Sequence, residues 1–221
     1  MAQSAPGHRA HRRVPHRGSY HHGDLPNALA DAATEMARAG GPDAIVLRAA
    51  ARAAGVSAAA AYRHFADYGE LLGVVRQRAL DALAAAMRAS LAAGEPLADP
   101  AADSLRRLRA LGSAYISFAL TDPGLFRTAF CRPVAPVPDV SAAMAAHGPY
   151  ALVSDVLDEL VEHGVLAPER RPGAEIPAWA AVHGLATLLL DGPLAQLSEA
   201  ERAAALERNA DFVLNGITGP R

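Results

Sequence analysis

The tripeptide Gly55-Val56-Ser57 constrains this chain more than any other stretch. An apolar helical pattern from Leu47 to Ala54 runs into Gly55, and glycine takes a positive φ without steric cost. Ser57 stands where the N-cap of a following helix, Ala58 to Phe65, belongs. Two short helices joined by so tight a turn make a helix-turn-helix, whose second helix can enter a DNA major groove. Tyr62, Arg63 and His64 then lie on or near the outer surface of that second helix.

Everything around this unit reads as helix. The 221 residues are 51% apolar but only 5% aromatic, and alanine, the best helix former, dominates. The expected fold is all-α: an N-terminal three-helix helix-turn-helix head plus a C-terminal helical domain, about nine helices in total. Asp24 opens the first helix, with Pro26 in its first turn and Leu25, Leu29, Ala32, Ala33 and Met36 on one face. Asp67 caps a long helix that ends by Gly94. Further helices are expected at Pro100 to Thr121, from Asp122-Pro123 through Phe130, up to Gly164, at Ala178 to Leu190, and at Ser198 to Asn215. Residues 133–138 and 167–177, rich in proline, read as loops. The chain divides into a basic arm (1–22), a DNA-binding head (23–70), a helical regulatory and dimerisation domain (71–215) and a tail (216–221).

Charge separates these parts. All 21 basic residues are arginine, and the net charge is −2. Residues 1–70 hold eight arginines against six acids, and the rest holds thirteen against seventeen. Arg9, Arg12, Arg13 and Arg17, among five histidines and no acid, precede Asp24. That arm reads either as a phosphate-contacting tail or as a solvated one. A single cysteine, Cys131, excludes an internal disulfide and fits a reducing cytoplasm; it is a small core residue or a redox switch. No apolar run is long enough for a membrane span, and no apolar segment follows the basic residues as in a secretory signal. A cytoplasmic protein without cofactor or metal is expected.

The last two helices stand apart. Trp179, Val182, Leu185, Ala186 and Leu189 form an apolar stripe, and small residues at Ala178, Ala181 and Gly184 allow close approach. Leu206, Ala210 and Val213 continue it on the final helix. The stripe is expected to pair with a second copy of the chain in a four-helix dimer interface, with packing inside one chain as the alternative.

Gly55-Val56-Ser57, Tyr62-Arg63-His64-Phe65, and then Asp67, Glu70 and Leu71 resemble the N-terminal domain of the TetR/AcrR family of bacterial transcriptional regulators. Tyr20-His21-His22-Gly23-Asp24-Leu25 is similar to the opening of one subgroup. Trp179, His183 and Gly184 are similar to the signature of that subgroup's C-terminal WHG domain. The resemblance implies an all-helical homodimer that binds double-stranded palindromic operator DNA. It also implies a C-terminal pocket in which a small-molecule effector releases the DNA.

Carried over by position, Ser57 caps the recognition helix and meets a backbone phosphate, Tyr62 and His64 donate to phosphates, and Arg48 reaches the backbone across the groove. Arg63 either reads a guanine or contacts a phosphate. Ala58 and Ala60, within the run Ala58 to Ala61, can touch thymine methyls but cannot read hydrogen-bond patterns. Two positions depart from the family. Tyr68 stands where a Lys or Arg usually meets a phosphate, leaving a hydroxyl as the donor, and Val46 stands where Thr often opens the second helix. Both losses predict a shallow salt dependence unless the arm compensates. Tyr115, Phe118, Phe126, Phe130 and His183 are the candidate ligand-pocket residues.

An enzyme is the main rival class, but His147, His163 and His183 fall on separate helices with no catalytic or metal-ligand spacing. His183 is a buried or interface histidine, or a ligand contact. A second rival is a helical protein-interaction module without sequence-specific DNA binding.

Overall fold

The structure, a computed structural model, describes residues 24–132 and 148–219. Among the described residues there are nine α-helices and no strand. Four short or medium elements build the head: α1 (Leu25–Gly40), a 3-10 turn (Pro42–Ala44), α2 (Leu47–Ala53) and α3 (Ala58–Tyr62). The long α4 (Tyr68–Ala93) leads out of it. The body adds α5 (Pro100–Thr121), α6 (Pro123–Ala129), α7 (Gly148–Glu162), α8 (Glu175–Leu190) and α9 (Glu199–Thr218). No described helix is long and apolar enough to cross a membrane. The arm at 1–22, the loop at 133–138, His147 and the last two residues of the expected tail lie outside the described residues.

Local chemistry sets the helix starts. The Asp67 carboxylate accepts the Glu70 N–H (3.0 Å), and the Glu70 carboxylate reaches back to the Ala66 N–H (2.7 Å). Asp99 accepts the Ala101 N–H ahead of Pro100 in α5, and Ser198 with Glu201 forms a reciprocal capping box on α9.

α4 is the axis. Near its middle Arg78 reaches Asp31 of α1, further along Ala84 faces Gly148 of α7, and near its end Ser90 donates to the Ala110 carbonyl of α5. A single apolar core follows it, from Leu29, Leu71 and Val75 in the head to Leu111, Leu157, Leu160 and Ala186 in the body. The boundary expected at residue 70 therefore falls in the first turn of a continuous 26-residue helix.

Three elements differ from expectation. α3 stops at Tyr62, because Phe65 turns into the core and the chain closes with His64 and Phe65 N–H groups both on the Ala61 carbonyl. The expected loop at 167–177 instead holds a 3-10 turn at Pro168–Arg170 and the first turn of α8. Pro177 sits early enough in α8 that its missing N–H costs nothing, and buried Glu175 is held by Arg171 (2.7 Å) and Ser154 (2.9 Å). α9 runs on to Thr218, where the Arg170 guanidinium takes up the carbonyls of Gly216, Ile217 and Gly219.

Candidate nucleic-acid interface

The turn between α2 and α3 is built by hydrogen bonds that only one backbone shape allows. The Gly55 N–H donates to the Arg52 carbonyl (3.1 Å) and the Val56 N–H to the Ala51 carbonyl (2.9 Å). These two bonds make a Schellman closure, with Gly55 at φ 72° as its left-handed residue. Ser57 then accepts the Ala60 N–H (3.2 Å) and opens α3, leaving its hydroxyl proton free to donate outward.

This turn brings Arg48, Ser57, Ala58, Tyr62, Arg63 and His64 to the surface of the head. It does not bring Ala60 there. Ala60 is 9% exposed and Ala61 fully buried, so both methyls belong to the core beneath α3. Ala59, exposed, takes the outward place instead, beside half-exposed Ala58. Tyr68 also differs from expectation: its hydroxyl donates to the Pro42 carbonyl (2.9 Å), engaging its one proton within the head. Val46 caps nothing, and its side chain is 50% exposed at the start of α2.

In the head Arg38 pairs with Glu35 and Asp122, so ion pairs occur in both parts of the chain. Arg106, Arg107, Arg109, Arg127 and Arg171 each hold a carboxylate. Among the described residues, Arg48, Arg52 and Arg63 hold none and are exposed. Arg52 escaped the sequence reading. Its signal was the spacing, since it follows Arg48 by one helical turn and shares its face.

In the body, Tyr115 of α5, Phe126 of α6, Phe130 just beyond it, and Trp179 and His183 of α8 meet in one aromatic cluster. Neighbouring ring centroids lie 4.9–6.2 Å apart. Phe118 is buried too, but takes no part in these ring contacts. A directional chain runs through the cluster. The Trp179 Nε1–H donates to the Tyr115 hydroxyl (3.0 Å), which lies 2.8 Å from His183 Nδ1. Indole only donates, so the tyrosine proton goes to an unprotonated Nδ1 and His183 keeps its proton on Nε2. Burial agrees, pushing the His183 pKa down and the Tyr115 pKa well up. His163 sits elsewhere, with Nδ1 2.8 Å from the Ser104 hydroxyl. Cys131 is half-buried, and burial raises its thiol pKa, which disfavours the reactive thiolate.

α6 joins this cluster to the head. Phe126 enters the rings from one side of α6, while Gly124 presses on the end of α1. A Cβ at Gly124 would fall far inside contact with the carbonyl oxygens of Ala37 and Arg38. Arg38 pairs with Asp122 at the start of α6, and Arg76 of α4 donates to the Ala129 carbonyl at its end (3.0 Å).

The apolar stripe expected to meet a second copy faces inward. Leu185, Ala186 and Leu189 are buried in the chain's own core, Trp179, Val182, Leu206 and Val213 pack against it, and Ala210 is half-buried. The outer face of α8 carries Ile176 (57% exposed), Ala180, Gly184 and Leu188 at four-residue spacing; on α9, Phe212 is 75% exposed.

Two family models match the chain. Residues 29–75 match bacterial regulatory proteins of the tetR family, and residues 108–213 match the tetracyclin repressor-like C-terminal domain. Among solved structures, a protein of unknown function from Rhodococcus sp. RHA1 is 28% identical, covers 91% of this chain and all of its own, and superimposes with a TM-score of 0.73. A protein from Shewanella sp. PV-4 assigned to the TetR-family regulators shares the fold at 18% identity and a TM-score of 0.62, covering 89% of this chain and 99% of its own. A TetR-family regulator from Marinobacter aquaeolei VT8 does so at 20% identity and 0.57, covering 85% and 94%. No curated protein is similar enough to match. The two family matches take in both the turn at Gly55 and the aromatic cluster, and the chain belongs to the TetR family of bacterial transcriptional regulators.

Proposed function

We propose that this protein is a cytoplasmic repressor that binds a palindromic operator as a homodimer and is released by a small molecule acting on the aromatic cluster. The observation that carries the DNA-binding part is the exposed trio Arg48, Arg52 and Arg63, without carboxylate partners among the described residues, beside Tyr62 and His64 on a helix-turn-helix. Ser57, Tyr62 and His64 supply hydroxyl and imidazole donors to phosphates, and Arg48 and Arg52 supply charge along the backbone. Arg63, at the C-cap of α3, reaches a guanine edge or a phosphate. Regulators of this family are in general not enzymes, and burial holds the Tyr115 phenol beside His183 in its protonated form, its pKa pushed well up.

Two further features support the finer reading. The outer face of α8 and α9, with Ile176, Leu188 and Phe212, offers a self-complementary apolar surface for a second copy, which matches a palindrome. α6 touches both the aromatic cluster and the end of α1, so a ligand that parts the rings displaces the element on which the head rests.

The test is fluorescence anisotropy on the DNA flanking the protein's own gene, across a salt series. Binding is expected to weaken with salt, but with a shallow slope because Tyr68 and Val46 contribute no charge. Tyr62→Ala and His64→Ala are each expected to abolish it. Binding that survives both substitutions, or no binding to any DNA, contradicts the proposal.

A further inference from the structure

We propose that α3 recognises thymine through its C5-methyl group, using the methyls of Ala58 and Ala59. The inference rests on the DNA-binding reading and specifies what that surface reads. In a helix-turn-helix the leading residues of the second helix meet base edges in the major groove. Here those residues are alanines, and burial sorts them: Ala58 is half-exposed, Ala59 exposed, and Ala60 and Ala61 lie in the core. The outward face of α3 ahead of Tyr62 therefore carries two methyl groups and no hydrogen-bonding side chain. Ser57, immediately before them, already accepts the Ala60 N–H.

The chemistry of the groove decides what such a face prefers. Guanine and adenine present N7 with O6 or N6, cytosine presents N4, and only thymine presents a methyl. A methyl side chain set against a polar edge strips water from it and returns no hydrogen bond. Set against a thymine methyl, it buries apolar surface from both sides. The preference is for the methyl itself, not for the A·T pair. Ala58 and Ala59 thus cannot distinguish T·A from 5-methylcytosine·G, but separate both from U·A and C·G. Burial of one methyl corresponds to about a fourfold change in affinity. Both positions in both half-sites together correspond to on the order of 100-fold.

The experiment uses the full-length protein and duplexes enriched by it from a random-sequence pool, with affinities measured at one fixed salt concentration. In the enriched site, each thymine is replaced in turn by deoxyuridine, by 5-methyldeoxycytidine opposite deoxyguanosine, and by deoxycytidine. At two neighbouring positions of each half-site, deoxyuridine and deoxycytidine are expected to weaken binding about fourfold, and 5-methyldeoxycytidine is expected to restore it. Ala58→Gly, which removes one methyl at each half-site, is expected to lose about 16-fold on the thymine duplex and nothing on the duplex with deoxyuridine at the matching position of both half-sites. Unchanged binding to the deoxyuridine duplex also reports that the variant is folded. An enriched site in which uracil replaces every thymine without loss overturns the inference, as does a 5-methyldeoxycytidine duplex that binds no better than its deoxycytidine counterpart. Failure to enrich any sequence overturns the DNA-binding reading itself, which distinguishes the two failures.

Discussion

At the scale of single residues, His183 is held from several sides in the body. Its Nδ1 accepts from Tyr115, whose oxygen is held by the Trp179 N–H, and aromatic rings surround the imidazole. Protonation of Nδ1 would aim two donors at one hydroxyl and leave the tyrosine proton without a partner. Burial lowers the folded-state pKa of His183 below its ordinary value of 6.5. The unfolded chain then takes up the proton first as pH falls, so the contribution is complete above that value and is lost as pH drops through the folded pKa. The melting temperature is expected to fall on acidification below about pH 6.5, and less steeply in His183→Gln. An identical slope in the variant would assign the acid sensitivity to other groups. The cluster also shows how far side-chain chemistry alone can group residues. Tyr115, Phe126, Phe130 and His183 were legible as a group through their chemistry. Phe118 was included for the same chemistry, but it lies outside the ring contacts, because the direction of a side chain from α5 is set by packing.

At the scale of elements, two glycines make opposite demands. Gly55 is needed for its backbone, since a Cβ there would meet nothing within 4 Å. Gly55→Ala is therefore expected to cost only the left-handed conformation, about 1–2 kcal/mol, seen as a lower urea midpoint with an unchanged denaturant slope. Gly124 is needed for space, because any Cβ would strike the final carbonyls of α1. Gly124→Ala forces α6 and α1 apart and is expected to cost about 1–3 kcal/mol by overpacking. For a chain of this size that corresponds to a drop of roughly 2–4 °C in melting temperature per kcal/mol. It should also alter DNA affinity, because α6 carries the contact between the aromatic cluster and the head. Gly55 was legible in advance, as turn chemistry is local. Gly124 was not, because a helix that crosses another closely leaves no mark in its own periodicity.

At the scale of the whole molecule, the unpaired surface is the outer face of α8 and α9. α8 is apolar on nearly every side, so a stripe chosen from its sequence is a choice among several that look equally good. The stripe of Leu185, Ala186 and Leu189 was the natural choice, and in this chain those three residues are buried in the core. With Ile176, Leu188 and Phe212 left to solvent, the proposed dimer is expected to be lost in Phe212→Asp combined with Ile176→Asp, which should sediment as a monomer at equilibrium. The variant chain should keep its helical content, since neither side chain belongs to the core. A dimer that survives both charges would place the interface elsewhere.

Local chemistry in the sequence settled the existence of the helices, though not every end, the caps at Ser57 and Asp67, the turn at Gly55 and the outward placement of Tyr62, Arg63 and His64. Each of these rests on interactions among residues a few positions apart, whose geometry the chain dictates locally. Only the tertiary structure decided that Ala60 is core and Ala59 is surface, that the Tyr68 hydroxyl is engaged by Pro42, and that α6 bears on α1. It also decided which face of α8 looks outward. Those outcomes depend on which neighbour arrives from a distant part of the chain, and a run of alanines or leucines serves either side of a helix equally well.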